Sequence, residues 1–186
     1  MTTDSNRRNF YRIKDTAAVE IRLSQGPADS FEDLVQLPAQ YQLISEFQLL
    51  DVEAQSLLAG IQEKDRSLAA YLRLLNRKLD ALSRTLALVN QPIDPDNLRE
   101  IDLSEGGLSL HWPDLLEPGS LVRIKLILVP SYVGLLVKGK VLACEPRSNG
   151  YSTHLEFVDL DDQQRQLIAR HILRKQQEER RQRQIL

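Results

Sequence analysis

The chain has 186 residues, 42% hydrophobic and 27% charged, with a formal net charge of -2. That length suits one domain, or one domain with a large insertion, and the composition excludes a wholly disordered chain. With 24 basic against 26 acidic residues, the chain does not read as a nucleic-acid binder, so any polyanion must be held locally. No apolar run approaches the ~18 residues of a membrane span. MTTDSNRRNF lacks the apolar stretch of a secretory signal. The single cysteine, Cys144, rules out an internal disulfide framework and a multi-cysteine metal site. The expected compartment is the cytoplasm.

Taken in chain order, the first feature is RRNFYR, which holds Arg7 and then the pair Arg8 and Arg12. Two further Arg-x-x-x-Arg pairs, Arg73/Arg77 and Arg170/Arg174, fall on predicted helices, where such arginines are neighbours on a solvated face. The N-terminal pair instead precedes a strand, in which Val19, Ile21 and Leu23 alternate with Glu20 and Arg22. A short helix is predicted from about Pro38 to Leu50. From Ile61 to Gln91 there is neither Gly nor Pro. Leu58, Ile61, Leu68, Leu72, Leu75, Leu79, Leu82, Leu86 and Val89, all but the first within that stretch, keep a 4-3 spacing broken only by Asp65. The spacing predicts a coiled-coil helix of about five heptads, with Asp65 at an a position setting register. At ~1.5 Å per residue it would be on the order of 50 Å long. A seam of that length outruns a small barrel, so self-association into a dimer or tetramer is expected. The alternative is an intramolecular hairpin with the first helix.

After Pro95, short apolar segments alternate with Gly/Pro turns: 98–103, 108–112, 121–129, 133–144 and 151–158. Five or six such strands predict a small antiparallel barrel or sandwich. A closing helix follows over Asp161 to Arg183, with Asp161 or Asp162 as N-cap and Leu167, Ile168 and Ile172 as its apolar face. The first two segments are joined by DLSEGG, that is Asp102-x-Ser104-x-x-Gly107. These are ordinary hairpin residues. They also offer a carboxylate, a hydroxyl and a close backbone approach to a ligand.

In this order RRNFYRI, the alternating strand, IDLSEGGLSL, YSTHLEF and the closing helix resemble the PilZ domain family, over residues 6 to 27 and 97 to 175. The resemblance implies a six-stranded barrel that binds the bacterial second messenger cyclic di-GMP. It carries the binding role to Arg8, Arg12, Asp102, Ser104 and Gly107. It also implies that Arg7 contacts a second stacked molecule, the ligand then binding as an intercalated dimer. Chemistry agrees, because a guanidinium can fork onto guanine O6 and N7, grip a phosphate or stack on the base. His154 stands where many members have glycine, and so either alters the pocket wall or reaches the ligand. A tetrameric variety of the family is similar in carrying long helices that form a coiled coil.

The expected fold class is α+β: a six-stranded antiparallel barrel from residues 1–27 and 93–186, interrupted by a helical insertion over 28–92 and closed by a C-terminal helix. Catalysis finds no support. His111, His154 and His171 lack ligand-spaced partners, Ser104 lacks a G-x-S-x-G elbow, and no P-loop occurs. The expected function is a cyclic di-GMP receptor, not an enzyme. It would need no cofactor and would relay its signal to an unidentified downstream protein. The alternative is a scaffold whose coiled coil builds an oligomer while the barrel docks a protein without ligand.

Overall fold

Among the described residues, antiparallel strands close into a barrel in the order β1-β2-β3-β6-β5-β4. The computed structural model describes residues 11–24, 36–90 and 93–185, with side chains over 11–24, 36–85 and 93–183. The strands are β1 (Ile13–Leu23), β2 (Leu98–Ser104), β3 (Gly107–Trp112), β4 (Leu121–Leu128), β5 (Val133–Arg147) and β6 (Gly150–Val158). Two helices, α1 (Ala39–Lys64) and α2 (Arg66–Asn90), lie between β1 and β2, and α3 (Asp162–Ile185) ends the chain. The expected six-stranded barrel with a helical insertion is the observed fold.

Alternation explains β1. Ile13, Ala17, Val19 and Ile21 are buried while Lys14 and Thr16 are exposed. One edge of β1 pairs with β2, from Ile13↔Leu103 to Ala18↔Leu98. Its other edge pairs with β4, from Ala17↔Leu128 to Leu23↔Val122. The barrel interior is filled by branched residues such as Leu103, Leu108, Ile124, Leu126 and Val141, all essentially inaccessible to water.

The ladder between β5 and β6 begins at Lys138↔Val158, so β5 from Val133 to Val137 has no β6 partner. An open strand edge must be covered. Ser45 of α1 meets it at Gly134, whose N–H donates to Ser45 Oγ at 3.0 Å. Gln164 of α3 donates to Leu136 O at 2.7 Å. The α1 contact is close. A Cβ at Gly134 would stand 2.6 Å from Leu37 Cδ1 and 2.8 Å from Tyr41 Cβ. Tyr41 and Ile44 are buried on this seat.

α3 opens with a reciprocal cap. Gln164 N–H donates to Asp161 Oδ1 at 2.7 Å, and Asp161 N–H donates to Gln164 Oε1 at 3.2 Å. Leu167, Ile168 and Ile172 are buried against the barrel, as their spacing predicted. The helix is also pinned electrostatically. Asp15 of β1 places Oδ2 at 2.5 Å from His171 Nε2 and Oδ1 at 2.7 Å from Lys175 Nζ. Burial by itself would raise the Asp15 carboxyl, but the His171 and Lys175 hydrogen bonds outweigh it and hold it below its ordinary value.

The long single helix predicted from the leucine spacing is corrected to two. Asp65 adopts an extended conformation, φ -145 and ψ 100, while its N–H still closes α1 onto Ile61 O. Its carboxylate accepts the Leu68 N–H at 2.9 Å. Asp65 is therefore the N-cap of α2 and not a register-setting residue in a coiled-coil seam. A scan for Gly and Pro is blind to such a break, because the aspartate side chain itself replaces the lost helical bond. α1 and α2 form a hairpin, the arrangement set beside self-association as the alternative. Arg73 bonds Gln62 across it, and Ala69 is fully buried.

The hairpin does not consume the leucine stripe. Leu68, Leu75, Leu79 and Leu82 remain 42% to 66% exposed, and Leu72 is half-buried. At ~100° per residue the stripe lies roughly a quarter-turn from the Ala69 face. The side chains of Leu86 and Val89 lie outside the described residues.

Two outcomes test this packing. Gly134→Ala should lower stability by about 1–3 kcal/mol, the usual range for overpacking, read as a fall in the denaturation midpoint. An unchanged midpoint would show that α1 is not seated on Gly134. Asp15→Asn should cost about 3 kcal/mol near neutral pH, as for breaking a buried ion pair. Because the folded carboxyl sits low, its contribution is complete above an ordinary carboxylate value of about 3.9 and is lost as pH falls through the lower folded value. The gap in thermal midpoint between wild type and Asp15→Asn should therefore narrow on acidification below about pH 4.

A candidate ligand-binding face on the barrel

The ladders through β1, β2, β3 and β6 align one polar residue from each of four strands. Lys14 of β1 pairs with Asp102 of β2, Asp102 with Ser109 of β3, and Ser109 with His154 of β6. Directly paired residues of antiparallel strands point to the same side. The neighbouring row, Ile13, Leu103, Leu108 and Leu155, is buried, so the polar row faces outward. These four residues line an open cavity of about 520 Å³, together with Asp15 and Lys175.

Arg12 stands just before β1 and reaches over this row. Its Nη1 donates to Ser109 Oγ at 3.4 Å and lies 3.7 Å from Asp102 Oδ1. Both partners of the ion pair are about half exposed, 48% and 42%. Such a pair is worth at most about 1 kcal/mol, so Arg12 is available to a competing anion. Asp102 Oδ1 is buried and accepts no hydrogen bond among the described residues. A buried carboxylate oxygen without a donor is a standing demand for one.

Ser104 and Gly107 have a different place. Ser104 is buried, and its Oγ donates to Gly107 O at 3.1 Å, closing the two-residue turn between β2 and β3. A Cβ at Gly107 would stand 2.1 Å from Leu155 O. Glycine is required there by the approach of β3 to β6, not by positive φ. These two residues therefore shape the hairpin that presents Asp102. Arg7 and Arg8 lie outside the described residues.

The structure brings Arg12 and Asp102 together and adds residues that the motifs did not single out: Lys14, Ser109, Asp15 and Lys175. Ser109 was within reach of sequence reasoning. With a Glu105-Gly106 turn, hairpin register puts residue 109 opposite residue 102. His154 lines the cavity. No grouping of three or more His, Cys, Asp or Glu that could hold a metal occurs among the described residues. Nor is any described helix long and apolar enough to cross a membrane.

Comparison with known proteins follows the same outline. Residues 87–174 match the PilZ domain model. No curated protein sequence matches the chain significantly. A Xanthomonas campestris protein described as a tetrameric PilZ domain self-assembled via a helical bundle has a similar fold. Its TM-score is 0.56 at 15% identity, with 92% of this chain and 91% of that chain covered. Two Escherichia coli YcgR structures, both with c-di-GMP, align at TM-scores of 0.42 and 0.40 with 17% and 16% identity. They cover 49% and 50% of this chain, and 42% and 84% of their own. Residues 87–174 thus match a PilZ domain, and β1, set apart from that segment by the helical hairpin, completes its strands into the closed barrel.

Proposed function

We propose that this chain is a cyclic di-GMP receptor and not an enzyme. The observation that carries the reading is the Arg12 guanidinium standing over Asp102 and Ser109 beside an open cavity. Cyclic di-GMP has two phosphodiesters and two guanines. Arg12 suits either a phosphate or the O6/N7 edge of guanine. Asp102 Oδ1, which accepts no hydrogen bond among the described residues, suits the N–H donors on the opposite guanine edge. Ser104 and Gly107 would act by holding the turn. Arg8 would join Arg12 in gripping the ligand, and Arg7 would contact a second molecule of an intercalated dimer. The cavity falls in the size range of small-molecule sites.

Ligand occupancy would draw Arg7, Arg8 and Arg12 onto the barrel and shift the population toward one arrangement of this surface. A downstream protein would read that surface. Residues 28–92 would serve as an assembly segment between the barrel parts 1–27 and 93–186. The stripe Leu58, Ile61, Leu68, Leu72, Leu75, Leu79, Leu82, Leu86 and Val89 would pair with further copies in a dimer or tetramer. Exposed leucines at four of these positions support that reading, since contiguous apolar patches mark interaction surfaces.

Isothermal titration with cyclic di-GMP tests the receptor reading. Wild type should bind, and Arg8→Ala with Arg12→Ala should weaken binding at least about a hundredfold, given about 1.5–3 kcal/mol per charged hydrogen bond. Absence of heat with wild type rejects it. For assembly, light scattering should give an oligomeric mass for wild type and a smaller one for Leu79→Asp with Leu82→Asp. Both positions are half exposed or more, so the protomer should keep its fold. An unchanged mass in a folded variant rules out this seam.

A further inference from the structure

The closing helix contributes a cation to the same cavity. Lys175 lines it, and its Nζ holds Asp15 Oδ1 at 2.7 Å. An ammonium has three protons. One is committed to Asp15, and among the described residues the others meet no hydrogen-bond partner. The Asp15 side chain is 2% exposed and does not depend on Lys175 alone, because His171 Nε2 lies 2.5 Å from its other oxygen. Lys175 itself is 28% exposed. It is thus less solvated than Lys14, whose side chain stands in water at the exposed end of the polar row.

Charge around the cavity makes this cation necessary. Its walls carry Asp15, Glu100 and Asp102 against Lys14 and Lys175, with Arg12 set over Asp102. A dianionic ligand entering such a wall needs a partly desolvated cation at close range, where a charge interacts more strongly than on the open surface. Lys175 is that group.

We propose that Lys175 is a ligand-binding residue that donates to a phosphate of the occupant, so that α3 is one wall of the site. The proposal rests on the cyclic di-GMP reading and extends it beyond the two motifs to the C-terminal helix. The same helix also touches the hairpin. Arg170 donates to Gln48 O at 2.6 Å and lies 3.3 Å from Asp51 Oδ2, both on α1. A ligand held by Lys175 is therefore one rigid element away from the inserted helices.

The test is titration of the full chain with cyclic di-GMP at low and high salt, comparing wild type, Lys175→Met, Lys175→Arg and Arg12→Ala. Lys175→Met should raise Kd about tenfold or more, as expected for a charged hydrogen bond, and flatten the dependence of Kd on salt. Lys175→Arg should stay within about threefold of wild type, since it keeps the charge. If Lys175→Met lowers the thermal midpoint but binds with wild-type Kd and salt dependence, the lysine only neutralises Asp15 and the proposal is wrong. Should that variant fail to fold, Asp15→Asn with Lys175→Met removes both charges together and carries the same comparison. Loss of binding in Arg12→Ala with none in Lys175→Met removes this proposal alone. No binding by wild type removes the receptor reading with it.

Discussion

Everything in this molecule turns on the double pairing of β1. The strand bonds β2 along one edge and β4 along the other, and this closes the barrel. Without β1 the remaining strands form an open sheet with β2 and β4 as unpaired edges. The β2 edge also assembles the candidate site. It puts Lys14 opposite Asp102, and so sets Arg12 over a carboxylate far along the chain. The long insertion between β1 and β2 makes this a costly loop to close, although the cost grows only logarithmically with length. The two-edged ladder and the buried residues of β1 repay it.

Two ion clusters flank that strand and differ in kind. Arg12 and Asp102 are about half exposed, and their separation of 3.7 Å is too long for a hydrogen bond. Water competes with such a pair, and a ligand can do the same. Asp15 is sealed beneath α3 with His171 and Lys175. There a carboxylate without partners would be strongly disfavoured, so the cluster fixes where α3 lies. A solvent-exposed pair thus stands beside a sealed anchor.

The helical insertion is similarly divided between what is anchored and what is left open. α1 is seated by Ser45 and Tyr41 on the uncovered edge of β5, where only glycine fits. α2 folds back from the Asp65 cap and buries Ala69, while its leucine stripe faces outward. A small residue on the contact face lets the two helices approach closely without drawing on the larger apolar side chains. Those side chains are left over for another surface.

Local chemistry in the chain determined most of the elements. Period-two alternation marked β1, short apolar segments between Gly/Pro turns marked every strand after Pro95, and the spacing of Leu167, Ile168 and Ile172 marked the buried face of α3. Arg12 and Asp102 were legible as candidate site residues because their motifs are local. The break at Asp65 was not, since aspartate serves equally on a helix face or as a cap and only backbone geometry distinguishes the two. Ser109 needed the register of one hairpin. Lys14 needed the β1–β2 ladder, because the two strands belong to segments far apart in sequence, and the β3–β6 ladder decided that His154 stands beside Ser109. Asp15, His171 and Lys175 were furthest from view. Nothing local in an alternating strand or a charged helix says that an acid of one will be buried against a histidine and a lysine of the other, and that pairing exists only once α3 packs on β1. The sequence therefore determined which segments are strands and helices, and which residues carry the recognisable motifs. Tertiary structure alone decided which charges share a cavity, because desolvation and pairing arise between surfaces that meet only in the folded chain.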